Sequence, residues 1–299
     1  MTEALFPGWR ALQVEVEAGV QIHAVIGGNG PPLLLLHGHP QTHAIWHKVA
    51  PALGAHFTVV ACDLRGYGDS SKPPGEPSHA NYSKRTMAAD VLKVMQSLGF
   101  PRFGVLAHDR GARVAHRLAL DHPDAVQRMV LLDIAPTLAM YSKTTEAFAR
   151  AYWHWFFLIQ AAPMPERLIE AGPAAYVRDV MGSRSAGLAP FDPRALKEYE
   201  RCLSLPGAAH GLCEDYRASA GIDLEHDRRD LADGRRLPMP LLVLWGEQGV
   251  VSRCFDPLAE WRQVADRVTG EGLPCGHYIP EEAPALLLER ALPFLLEPS

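Results

Sequence analysis

Residues 103–120, Phe103-Gly-Val-Leu-Ala-His-Asp-Arg-Gly-Ala-Arg-Val-Ala-His-Arg-Leu-Ala-Leu120, decide the fold. Residues 103–107 form a short apolar run of strand character, and helical periodicity sets in from about Arg110, with His108 and Asp109 at the junction. Ala107 and Gly111 stand two positions to either side of Asp109. A pattern with small residues two positions either side lets a strand bend sharply into a helix and leaves the middle side chain projecting from a strained turn. The middle residue of such turns is usually serine; here it is aspartate.

That exchange alters the chemistry available. Serine attacking an acyl carbon makes an ester that water can cleave, but serine displacing a leaving group from an sp³ carbon makes an inert ether. Aspartate doing the same displacement makes an alkyl ester whose carbonyl belongs to the enzyme and can be hydrolysed. Asp109 in this turn therefore points to carbon–halogen or epoxide substrates. Aspartate is also a favoured helix N-cap at the positive end of the helix dipole; the flanking motifs are what lift Asp109 above that plainer role.

Working outward, residues 11–17 and 21–26 read as an opening hairpin with β-branched Val14, Val16, Val20 and Ile22, closed by the turn Gly27-Gly-Asn-Gly-Pro-Pro32. Leu33–Leu36 and Phe57–Cys62 are buried strands, followed respectively by His37-Gly38-His39-Pro40 and the glycine-rich loop 63–70. A short helix is expected over 41–53, a helix over 84–98 and a strand over 128–134. Continuous apolar strands alternating with helices imply a parallel sheet covered on both faces. From Pro136 the pattern changes: residues 137–237 are helical, rich in aromatics and charges, with no convincing buried strand. The strand signal returns at Pro238–Gly246, followed by an expected helix near 256–268, a strand near 271–275 and a helix over 281–296. The expected division is a core formed by 1–136 and 238–299, with 137–237 a helical cap over the carboxyl ends of the strands, where open α/β sheets place their sites.

Composition excludes other classes. The chain has 299 residues, 47% hydrophobic and 21% charged, as in an ordinary globular protein. Its formal net charge of −5 leaves no footprint for nucleic acid or an anionic membrane. Cys62, Cys202, Cys213, Cys254 and Cys275 are odd in number and widely spaced, so they read as reduced thiols in a cytoplasmic protein. The opening Met-Thr-Glu-Ala-Leu-Phe-Pro lacks a basic region leading into an apolar run, so no signal peptide is expected. No apolar stretch approaches the roughly 18 residues of a membrane span.

His37-Gly38-x-Pro40, the Asp63…Gly66-Tyr-Gly68 loop, the aspartate bend and the late Gly276-His277 together resemble the α/β-hydrolase superfamily, across almost the whole chain. The resemblance implies an α/β-hydrolase fold: a mostly parallel sheet flanked by helices, with an inserted helical cap. His-Gly-x-Pro with an aspartate bend is similar to the dehalogenase and epoxide-hydrolase branch, and His-Asp-Arg-Gly-Ala-Arg at 108–113 to the haloacetate (fluoroacetate) dehalogenases. Hydrolysis of a small haloacid without cofactor or metal is the implied activity, and a homodimer is implied by that likeness alone.

His277 follows the last strand, in the chain order nucleophile, acid, histidine that this fold uses. Its role would be to take a proton from the water that attacks the Asp109 ester. For the orienting acid, epoxide-hydrolysing relatives use the loop after the penultimate strand, but the matching position here is Gly249, with Glu247 nearby. Haloacetate dehalogenases place it at the strand end before the cap, which is Asp133. A carboxylate in so buried a run needs a partner, and His277 would supply one; Asp133 is the expected acid and Glu247 the alternative.

Arg110 and Arg113 lie in the first turn after Asp109, at the positive end of a helix and so unfavourably placed unless an anion sits among them. A substrate carboxylate fits, because arginine offers planar paired donors. The cap carries Tyr152-Trp-His154-Trp155-Phe-Phe and Cys-Glu-Asp-Tyr216-Arg. Such aromatics commonly just pack, but the resemblance implies that His154, Trp155 and Tyr216 receive the halide. The oxyanion hole is expected from the backbone N–H groups of His39 and Arg110. His39 departs from the phenylalanine the resemblance leads one to expect, which bears on preference among haloacids. His37, His39, His43 and His47 invite a metal reading, but no acidic or cysteine partner is close in sequence. A soluble epoxide hydrolase using two of Tyr141, Tyr152 and Tyr216, or a binding protein that has lost catalysis, are the other readings.

Overall fold

The computed structural model describes residues 2–297. Eight strands form one sheet: β1 (Arg10–Glu17), β2 (Val20–Gly28), β3 (Pro32–Leu36), β4 (Thr58–Cys62), β5 (Phe103–His108), β6 (Val126–Leu132), β7 (Leu237–Gly246) and β8 (Ala265–Leu273). Their order is β1-β2-β4-β3-β5-β6-β7-β8. β2 runs antiparallel to both its neighbours, and every other pairing is parallel. The central strands are apolar at successive positions because helices cover both faces. Leu33 to Leu36, Val59 to Cys62 and Met129 to Leu132 are all wholly buried.

The helices Lys84–Ser97 and Asp109–Asp121 lie in the crossovers on either side of β5 and pack on each other. Between β6 and β7 the chain forms a run of helices from Thr137–Ser142 to Ile222–Ala232, without a strand among the described residues. Helix Ala208–Ala220 packs against Trp153–Leu158 and Met164–Glu170, and its buried face carries Asp215, Tyr216 and Ser219 towards the sheet ends. Among the described residues no helix is long and apolar enough to cross a membrane.

Two expectations need correction. The helix expected over 41–53 is a 3₁₀ turn, His43–Trp46, and a separate helix, Ala50–Gly54, with a proline in its first turn. The helix expected to reach 268 ends at Trp261, and β8 starts at Ala265. As an edge strand, β8 has a neighbour on one side only, so Asp266, Arg267 and Glu271 face water and dilute its strand signal.

Candidate active site

At the end of β5 the backbone passes from His108 at φ −117°, an extended conformation, to Asp109 at φ 46°, where the helix begins. A left-handed aspartate costs on the order of 1–3 kcal/mol and persists only when its surroundings enforce it. The enforcement is steric. A Cβ on Gly111 would lie 2.4 Å from the His37 carbonyl oxygen, and one on Gly38 would lie 2.4 Å from the Asp109 Cβ. The small residues thus let the bend nest against the loop after β3. The His39 N–H donates to Asp109 Oδ1 at 3.0 Å, and Asp109 Oδ2 lies 3.6 Å from His277 Nε2. Burial alone would raise the Asp109 carboxyl, but His277, Arg184 and His108 around it hold it well below the usual range, so the buried group is ionised.

Asp133 follows the last residue of β6 and has φ 49°. Its Oδ1 accepts the Gly246 N–H at 2.9 Å, and its Oδ2 lies 2.6 Å from His277 Nδ1. This contact fixes the imidazole with Nε2 towards Asp109, and Nε2 is buried without a partner. The alternative acid, Glu247, is exposed and lies beside Gly272. Gly249 adjoins Asp133: a Cβ there would be 3.3 Å from one carboxylate oxygen and 3.4 Å from the other. The His277 N–H donates to the Arg184 carbonyl at 3.1 Å, and the imidazole of His108 sits 4.7 Å from that of His277.

Burial, reinforced by the Asp109 charge, lifts Asp133 to about 7 against the opposing pull of the Gly246 N–H, His108 and Arg184. Burial and then Arg184 push His277 down to about 3. As pH falls through about 7 the Asp133–His277 pair gains a proton, and in that state it no longer takes one from water. Activity is expected to rise with pH across that value. A pH–rate profile that stays flat from about pH 5 to about pH 9 would contradict this.

Arg110 and Arg113 part company in the structure. The expected anion beside Arg110 is already present, because its Nε and Nη2 grip both oxygens of Asp215 at 2.8 Å each. Nη2 also reaches the Asp215 carbonyl at 3.0 Å and Ser219 Oγ at 2.6 Å, while Lys84 and the Tyr67 hydroxyl bind the same carboxylate. Only Nη1 of Arg110 is buried without a partner, and the guanidinium lies 4.0 Å over the ring of Tyr216. Arg113 has no carboxylate partner among the described residues; it donates to the Ala135 carbonyl, Thr137 Oγ1 and Met140 Sδ, and its Nε is unpaired. Asp215 went unread in the sequence, although the frustrated arginines called for an anion and it precedes Tyr216.

His154, Trp155 and Tyr216 come together, with ring centroids 5.9 Å apart for His154–Tyr216 and 6.3 Å for Trp155–Tyr216. All three are buried, and neither Trp155 Nε1 nor the Tyr216 hydroxyl has a partner. Two adjacent buried donors without acceptors are unusual in a folded protein. His39 stacks on His154 at 5.4 Å, and its Nε2 lies 3.2 Å from the Tyr176 hydroxyl. Burial and Arg184 keep both His39 and His154 neutral. The other histidines of the metal reading do not gather with one another, although His43 stands with His23 and Asp63, whose possible ligand atoms lie within 4.8 Å of one another. The His37 imidazole ties Gly38 O to Leu64 N, His43 binds Asp63 at 2.9 Å, and His47 caps the Ala44 carbonyl.

A strand-to-helix bend presenting a carboxylate, an imidazole beyond the last strand and an acid at a neighbouring strand end define a hydrolase of the α/β class. Residues 31–284 match the alpha/beta hydrolase fold family. A fluoroacetate dehalogenase from Burkholderia sp. is 46% identical over 94% of this chain and 91% of its own length. A soluble epoxide hydrolase from Corynebacterium sp. is 36% identical over 92% and 94% respectively. A solved structure described as an alpha/beta hydrolase, from Nostoc sp. PCC 7120, superposes with a TM-score of 0.95 at 52% identity, covering 98% of this chain and 100% of that one. The chain belongs to the α/β-hydrolase family and, within it, to the haloacetate dehalogenases.

Proposed function

We propose that the protein hydrolyses a 2-haloacetate, fluoroacetate or chloroacetate, to glycolate and halide through an ester on Asp109. The observation that carries this reading is the ionised Asp109 carboxylate at the bend, with one oxygen held by a backbone N–H and the other facing His277. Asp109 Oδ2 attacks the α-carbon; the carbon–halogen bond breaks and its electron pair leaves with the halide. Oδ1 becomes the carbonyl oxygen of the new ester, already against the His39 N–H. Water then adds to the Asp109 carboxyl carbon as His277 Nε2 takes its proton, and the His39 N–H stabilises the oxyanion. Asp133 holds the imidazole and balances the charge it acquires. Collapse releases glycolate and restores the carboxylate. No cofactor or metal enters these steps.

Arg113, with the free Nη1 of Arg110, binds the substrate carboxylate. It also offsets the repulsion between that group and the anionic nucleophile. His154, Trp155 and Tyr216 receive the halide; the unpaired Trp155 N–H and Tyr216 O–H favour this over simple packing. A cap over residues 137–237, a cytoplasmic location and a homodimer complete the proposal. The unpaired Tyr141 and Tyr216 hydroxyls, and a Tyr152 hydroxyl 3.4 Å from His277 Nδ1, also suit an epoxide hydrolase, but the arginines have no role on a neutral epoxide. Fluoroacetate, chloroacetate and a neutral epoxide should be assayed side by side. Halide release from a haloacetate, with no diol from the epoxide, is expected; diol formation without halide release overturns the reading.

A further inference from the structure

Arg184 follows helix Pro173–Ser183, in the stretch Gly182-Ser-Arg-Ser-Ala-Gly187, and nothing in that stretch marks it as part of a site. Yet its side chain is buried at the centre of the one described above. Nη2 donates to the His39 carbonyl at 2.8 Å and to the Tyr278 hydroxyl, and Nη1 lies 3.5 Å from His154 Nε2. The guanidinium is 5.7 Å from the ring centre of Tyr152 and 5.1 Å from that of Tyr278. Its Nε has no partner, and among the described residues no carboxylate lies within ion-pair distance. All its hydrogen-bond partners are neutral, and Asp109, whose charge leaves with the halide, acts on it from beyond ion-pair distance. A buried cation so placed is costly unless an anion joins it during the working cycle.

The anion can be identified by accounting for charge. Arg110 is neutralised by Asp215, which leaves Arg113 and Arg184 as the two buried arginines of the site without a carboxylate. After displacement Asp109 is a neutral ester and its charge has passed to the halide. The pocket then holds two anions, the substrate carboxylate and the halide, for two unneutralised arginines. Arg113 lies 4.8 Å over the ring of Trp155, and Arg184 is beside His154. Arg184 also lines, with His277, Gly276, Gly249, Gln248 and Arg253, a cavity of about 220 Å³.

Building on the haloacetate reading, we infer that Arg184 receives the departing halide as the cationic member of the cradle formed by His154, Trp155 and Tyr216. With Nη1 directed at His154 Nε2, that ring nitrogen serves as an acceptor, so Arg184 supplies a donor that His154 does not. The carbon–halogen bond breaks towards a full positive charge in a site that excludes water, where such a charge acts most strongly.

Arg184→Gln and Arg184→Lys test this by two readouts: calorimetric binding of bromide to the free enzyme, and inhibition of turnover by chloride and by acetate. In Arg184→Gln the bromide Kd and chloride Ki are expected to rise about tenfold or more, while the acetate Ki changes by less than about twofold. Arg184→Lys, which retains the charge, is expected to stay within about threefold of the parent in halide affinity; if the glutamine variant does not fold, Arg184→Met, also uncharged, takes its place with the same expected losses. Weaker acetate inhibition with unchanged halide affinity would make Arg184 a carboxylate ligand and overturn the inference. Equal loss of both, or of neither, in the uncharged variant overturns it as well. If the parent enzyme binds bromide through Arg184 but releases no halide from any haloacetate, the proposed function fails while the halide site at Arg184 stands.

Discussion

Asp109→Asn is expected to lower kcat for haloacetate hydrolysis by about 10⁴-fold or more, the scale of loss seen when a covalent nucleophile is removed. The amide is neutral, and its oxygen cannot displace halide to leave a hydrolysable ester. The substitution should leave the fold intact, because asparagine tolerates φ near 46° and its carbonyl can accept the His39 N–H. The loss is therefore chemical in origin. Halide release is the measurement, with intact mass recorded to exclude deamidation back to aspartate. A companion experiment uses the parent enzyme in heavy-oxygen water. After one turnover the label should reside in the Asp109 carboxylate and the glycolate should be unlabelled, since the hydroxyl oxygen of the product comes from Asp109. Full activity in the variant, or label in glycolate alone, would end the mechanism.

His277→Asn is expected to separate the two halves of the reaction. Displacement needs only Asp109, the arginines and the halide donors, whereas hydrolysis needs Nε2 as base. The variant should release one equivalent of halide in a burst and then stop, with deacylation slowed by about 10³-fold or more. The intact protein should gain the mass of one carboxymethyl group. Asp133 loses its imidazole partner, and an unpaired buried charge there would be destabilising; its raised pKa lets it meet that loss by taking up a proton. Steady turnover in this variant, or its inactivity with neither burst nor adduct, would refute the assigned division of labour.

Much of this arrangement is legible in the chain, and the limits have physical causes. The core strands are readable because both of their faces are buried, which makes them uninterrupted apolar runs such as Leu33–Leu36. The bend is readable because left-handed Asp109 demands small neighbours at Ala107 and Gly111. β8 is misjudged at its start because an edge strand carries charged residues that resemble a solvated helix. Asp215 and Arg184 escape for another reason: each acts across a distance in sequence that no periodicity records. Asp215 meets Arg110 from a helix 105 residues downstream. Arg184 sits in a polar stretch whose neighbours are glycine, serine and alanine, and only its burial against His39, His154 and Tyr278 reveals it.

The proximity of Gly249 to Asp133 has a consequence for how such sites diverge. Two loop ends, after β6 and after β7, converge on the same nitrogen of one imidazole, and here one end carries a carboxylate while the other is bare. The acid can thus change address within the architecture without the histidine turning. A lineage that gains an aspartate at the second address first, and loses the original afterwards, passes through no ancestor with an unsupported base. The two addresses are alternative seats for one charge.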